Sequence, residues 1–121
     1  MLRSFLRAKI HGAYVTGGDL HYEGSILLDG AFLAALDLRV HEQVEIYNVS
    51  NGARFSTYVL EPTGKAGEVI LNGAAARLVV PGDRLIICAY AWIDLSREEA
   101  PVPRIALVED AQNRFRLKHA P

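Results

Sequence analysis

Apolar and polar residues alternate in short bursts along this chain, and glycines and prolines separate the bursts. A period of two marks a strand with one buried face. Leu2 to Lys9 is the first such run and leads into Ile10-His11-Gly12-Ala13-Tyr14-Val15-Thr16, after which Gly17-Gly18-Asp19 predicts a turn. Leu20-His21-Tyr22-Glu23 and Ser25-Ile26-Leu27-Leu28 follow as further short extended pieces. One segment breaks the period. Ala31-Phe32-Leu33-Ala34-Ala35-Leu36 is built from strong helix formers behind Asp29, a capping residue, and predicts a helix ending near Asp37-Leu38.

Two β-rich runs, Val44 to Ser50 and Ala53 to Leu60, flank Asn51-Gly52, a pair that favours the positive φ angles of a two-residue hairpin. That loop sets Val49 opposite Arg54, Tyr47 opposite Ser56 and Glu45 opposite Tyr58, and places Tyr47, Arg54 and Tyr58 on one face. Thr57 falls on the other. Further strands are expected at Glu68 to Leu71 and Leu85 to Ala91, with a turn through Val79-Val80-Pro81-Gly82-Asp83. Short strands at this spacing with one or two helices suggest a mainly β, compact barrel. From Asp94 to residue 121 the chain is charged and interrupted by Pro101 and Pro103, and reads as a partly ordered C-terminal arm.

At 121 residues, half of them apolar, the chain suits one domain and one core, with no repeat and no internal boundary. A net charge of −1 offers no electrostatic footprint for nucleic acid. No stretch reaches the ~20 apolar residues of a membrane span, and the first ten residues lack a signal peptide's apolar core. The single Cys88, in the run Leu85-Ile86-Ile87-Cys88-Ala89, excludes an internal disulfide and a Cys-cluster zinc site, and reads as a buried strand residue. A soluble protein of a reducing compartment, the cytoplasm, is expected.

Generic catalytic motifs are missing: the four histidines, at 11, 21, 41 and 119, form no HExxH, and no P-loop, GxGxxG or GxSxG occurs. Singly, Gly24-Ser25 is a turn, Asn72-Gly73 another, Arg54 a solvated side chain beside a hairpin and Tyr58 a packing tyrosine. Together they mean more. Asp19-Leu20-His21-Tyr22-Glu23-Gly24-Ser25, Asn48 to Tyr58 and Asn72-Gly73-Ala74-Ala75-Ala76, with Lys9 and His11, stand in an order and spacing that resembles the pyruvoyl-dependent aspartate 1-decarboxylases. The likeness runs from residue 1 to about residue 90; beyond that the match is poor, and position 47 is Tyr where some relatives carry Trp.

The resemblance implies a double-psi β-barrel, a homotetramer with sites between subunits, and L-aspartate as substrate. It implies self-cleavage between Gly24 and Ser25, giving a β-chain of residues 1–24 and an α-chain of residues 25–121 that begins with a pyruvoyl group made from Ser25. The serine hydroxyl attacks the preceding carbonyl, β-elimination leaves dehydroalanine, and hydrolysis gives the ketone and ammonia. Glycine at 24 is expected to tolerate the backbone geometry this needs. The ketone takes the substrate amine as a Schiff base and serves as electron sink, with no metal. By the same resemblance Tyr58 donates a proton. Arg54 and Lys9 hold substrate carboxylate, Arg through its planar fork, and Thr57, Gly73, Ala74 and Ala75 line the substrate site. His11, Tyr22, Thr57 and Asn72 serve the cleavage. Thr57 and Tyr58 then need either a bulge or a subunit boundary to act at one place. Some relatives need a maturation protein. A pyruvoyl decarboxylase of another amino acid and a non-catalytic barrel are the alternatives; Arg54 speaks against the first, and retention of Gly24, Ser25 and Tyr58 against the second.

Overall fold

The computed structural model describes residues 1–118; His119 lies outside the described residues. Among the described residues nine strands, one α-helix and one 3-10 helix build a mainly β, barrel-like fold, with the strands in two sheets. The strands are β1 (Leu2–Tyr14), β2 (Gly17–Asp19), β3 (Ser25–Leu28), β4 (Gln43–Asn48), β5 (Arg54–Tyr58), β6 (Val69–Asn72), β7 (Arg84–Asp94), β8 (Arg104–Val108) and β9 (Phe115–Leu117). The larger sheet runs β5-β4-β7-β1-β8-β9 and the smaller β2-β6-β3. A bridge between Ile26 and Val59 and the bond from Leu60 N–H to the Ile26 carbonyl join the two. Their inner faces meet in one core that includes Ile10, Ile26, Leu28, Phe32, Ile46, Val59, Leu71 and Leu85.

The helix is where the alanines and leucines put it, α1 at Gly30–Leu36, and the Asp29 carboxylate accepts from the Ala31 amide at 2.9 Å. Arg7, in a bulge of β1, reaches the Leu36 and Asp37 carbonyls at the far end and pairs with Glu42.

Three local expectations change. Gly17-Gly18-Asp19 is a short strand, not a turn: it lies parallel to β6, held by Thr16, whose hydroxyl and amide both bond Val69. Leu20-His21-Tyr22-Glu23 is not extended, because the Tyr22 amide turns back to the Asp19 carbonyl. The β4–β5 loop takes four residues: Asn48 closes onto Ala53, and the ladder pairs Tyr47 with Arg54, Glu45 with Ser56 and Gln43 with Tyr58. The register is displaced by two residues, which preserves faces, so Tyr47, Arg54 and Tyr58 still share one.

The largest correction concerns the C-terminal segment, expected as a partly ordered arm: from Arg104 to Leu117 it adds two strands to the larger sheet. β8 lies parallel to β1, Ala8 to His11 facing Arg104 to Leu107, and Ala106 is wholly buried. Asn113 is buried as well; its side chain bonds the amide and carbonyl of Tyr14 and the carbonyl of Gly67.

Candidate active site

Ser25 opens β3 with its side chain at 0% exposure. Its hydroxyl donates to the Glu23 carbonyl at 2.8 Å, and the Asn72 side-chain amide stands 3.4 Å from the same oxygen. Asn72 is the cross-strand partner of Ser25 at the end of β6. Directly after it, Gly73 starts the 3-10 helix η1 (Gly73–Leu78) at φ +66°; a Cβ there would sit 2.7 Å from Gly24 Cα and 3.0 Å from the Tyr22 carbonyl. Gly73 is therefore the glycine that close approach demands. Gly24 is not in the left-handed region, and a Cβ on it would meet nothing within 4 Å, so neither a positive φ nor a close approach calls for glycine there in the intact chain. Ala75 is buried beneath this corner, while Ala74 and Tyr22 are exposed.

A cleft of about 690 Å3 is lined by Glu23, whose carbonyl accepts the Ser25 hydroxyl, and by His41, Gln43, Ser56, Thr57, Tyr58 and Leu60. Thr57 and Tyr58 point to opposite faces of β5, and the ladder runs unbroken from Tyr47–Arg54 to Gln43–Tyr58, so no bulge reconciles them. They still reach one cleft, because β5 is the edge strand of its sheet and the cleft wraps that edge. The Tyr58 ring meets His41 edge-on, centroids 6.3 Å apart. His41, Gln43 and Glu23 enter the cleft without any signal in their own sequence context beyond Glu23's neighbours.

A second group lies on the outer face of the larger sheet. The ladders set Ser56, Glu45, Cys88, Lys9 and Ile105 in one row and Arg54, Tyr47, Ile86, His11 and Leu107 in the next. The Arg54 guanidinium lies 4.0 Å above the Tyr47 ring centroid. Burial pushes the Cys88 thiol up; a hydrogen bond with Tyr90 and the charges of Lys9 and Arg54 oppose it, so both cations act at one spot. The His11 imidazole is held below its ordinary value, first by desolvation and then by Lys9, Arg84 and Lys118. Among the described residues no group of three or more His, Cys, Asp or Glu is placed to hold a metal ion, and no helix is long and apolar enough to cross a membrane.

The structure thus brings Gly24, Ser25, Asn72 and Gly73 together at one corner, one bridge away from the end of β5, and gathers Lys9, His11 and Arg54 on the outer face of the larger sheet, the face of β5 that Tyr58 shares with Arg54. Fold and site define a small β-barrel protein with a buried serine hydroxyl bonded to a residue that lines a cleft. A family model described as "Aspartate decarboxylase" matches residues 1–116, which carries the likeness well past residue 90. An aspartate 1-decarboxylase of Hydrogenobaculum sp. (strain Y04AAS1) is 51% identical over 98% of this chain and 93% of its own length. Those of Ralstonia nicotianae and Bordetella pertussis are 48% and 44% identical over 98% and 100% of this chain, covering 98% and 99% of their own lengths. The chain belongs to the aspartate decarboxylase family.

Proposed function

We propose that the chain cuts itself between Gly24 and Ser25, converts residue 25 to a pyruvoyl group, and decarboxylates L-aspartate to β-alanine and carbon dioxide for pantothenate and coenzyme A synthesis. Family membership supports the reaction. The burial of Ser25 supports the cleavage: a hydroxyl with no exposure is out of reach of any dissolved substrate, and its available electrophile is its own backbone. The Oγ forms a bond to the Gly24 carbonyl carbon as the C–N bond breaks, and the released amine takes the proton. Loss of the residue 25 Cα proton then expels Gly24 as a carboxylate. Water replaces the nitrogen, which departs as ammonia, and a ketone remains.

The surroundings fit that ketone. Asn72 offers an amide donor at the position of the Oγ, and residues 20–24, exposed and outside any strand, are free to withdraw once cut and open residue 25 to the cleft. When present, the pyruvoyl group supplies the sink for the electron pair released as the α-carboxylate leaves. The protein side chains bind and protonate. Arg54 and Lys9 take substrate carboxylate, the backbone of Gly73, Ala74 and Ala75 lines the pocket, and Tyr58 delivers a proton to the former α-carbon. Thr57 and Asn72 hold the cleavage-site carbonyl or the substrate by hydrogen bonds, Tyr22 stands beside the cleavage site, and His11 comes to it with the cationic face of a neighbouring copy. Because Lys9 and Arg54 lie on a different face from Ser25, the proposal includes a homotetramer in which one copy's cationic face completes its neighbour's site. A cytoplasmic location fits the lone, buried, reduced Cys88.

Intact-mass analysis tests the reading. Two fragments, split between Gly24 and Ser25, are expected, the larger blocked at its N-terminus and sensitive to borohydride. Ser25→Ala stays whole and inactive; decarboxylation of aspartate by that variant would overturn the mechanism. Carbon dioxide release from aspartate, glutamate and histidine tests the substrate, and highest activity on either of the others would sink aspartate.

A further inference from the structure

The outer face of the larger sheet holds a contact that none of the roles above uses. The Tyr47 and Tyr90 hydroxyls lie 2.9 Å apart, although Tyr47 pairs with Ile86, four residues before Tyr90 on β7. The Tyr47 ring therefore leans along the sheet toward Tyr90, across the row of Glu45 and Cys88. On that leaning ring rests the Arg54 guanidinium. A guanidinium stacked by its face keeps its N–H donors free in its own plane, the arrangement that a bidentate carboxylate requires.

Among the described residues nothing occupies those donors. Among the described residues Arg54 forms no ion pair. The carboxylate one row away, Glu45, is engaged elsewhere: it accepts from the Ser56 hydroxyl at 2.6 and 2.8 Å and from the Gln43 amide at 3.1 Å. The Arg54 fork is thus held on a platform with its carboxylate-binding edge open.

We propose that Tyr90 is a positioning residue for substrate binding: its hydroxyl holds the Tyr47 ring as the platform that presents Arg54 to a carboxylate of the substrate. The inference rests on the reading of Arg54 as the carboxylate partner and extends it to a residue outside the motif segments. The Tyr90 phenol is raised well above its ordinary value, first by the hydrogen bond with Tyr47 and then by burial, so Tyr90 keeps its proton through the neutral and mildly alkaline range.

Steady-state kinetics on the cleaved enzyme separates the possibilities. Tyr90→Phe and Tyr47→Phe each remove one hydroxyl and keep the ring. Each is expected to raise KM for L-aspartate about fivefold, the size of one net hydrogen bond, with kcat within about twofold. The double variant should be no worse than either single one, because both lose the same bond. Tyr47→Phe also reports alone if Tyr90→Phe fails to fold. Arg54→Ala supplies the reference. If it raises KM strongly while Tyr90→Phe leaves KM unchanged, or if the two phenylalanine effects add, the Tyr90 proposal is overturned and the Arg54 reading survives. If Arg54→Ala itself leaves KM unchanged, the reading beneath it falls.

Discussion

Gly24 and Gly73 divide between them a role that the Gly–Ser pair alone suggests for the first. Gly24 sits in open space with ordinary φ, whereas Gly73 adopts φ +66° with its missing Cβ directed at Gly24. Gly73→Ala is therefore expected to cost ~1–3 kcal/mol through the left-handed backbone and to displace the 22–24 segment. Denaturant unfolding reads the stability, and intact mass over time reads slower cleavage. Gly24→Ala should change stability by less than about 0.5 kcal/mol, as at other exposed positions without contacts. Equal losses in the two variants would contradict this assignment.

Among the elements, the end of the chain behaves least as its composition suggests. Charge and prolines conceal the short apolar run Ile105-Ala106-Leu107-Val108, which becomes β8 because β1 exposes a second edge beyond β7. β9 follows, and Phe115 stacks on the fully buried Phe32 of α1 with centroids 4.6 Å apart. Phe115→Ala should lower stability by about 3 kcal/mol, the lower end for a core phenylalanine since the ring is only half-buried. Chemical denaturation checks it; a loss below about 1 kcal/mol would mean that the segment is dispensable to the core. The hairpin shows the opposite case. Its loop is two residues longer than Asn51-Gly52 implies, because the Asn48 carbonyl takes the Gly52 amide and the Asn48 and Asn51 side chains both bond the Leu78 carbonyl.

In the molecule as a whole, one chain holds the cleavage corner and the cationic face at different places, and the tetramer is the arrangement that would unite them. Trp92, the only tryptophan of the chain, is 70% exposed in the single subunit, close to exposed Leu2 on the neighbouring strand. Sedimentation is expected to give four times the chain mass, and dissociation in mild denaturant to red-shift Trp92 emission. A monomer at micromolar concentration would leave the site split and the proposal without its second half.

The order of residues already carried the strand periodicity, the Asp29-capped helix, the shared face of Tyr47, Arg54 and Tyr58, and the motif segments that resemble the family. These depend on neighbours within a few positions, where alternation, capping and turn chemistry act. Long-range pairing decided the rest. The parallel ladders β1–β8 and β2–β6, the complete burial of Ser25, the transfer of the glycine requirement to Gly73 and the Tyr47–Tyr90 contact each join residues 43 or more positions apart. No local period encodes such partners; they are chosen by which faces the two sheets bury against each other.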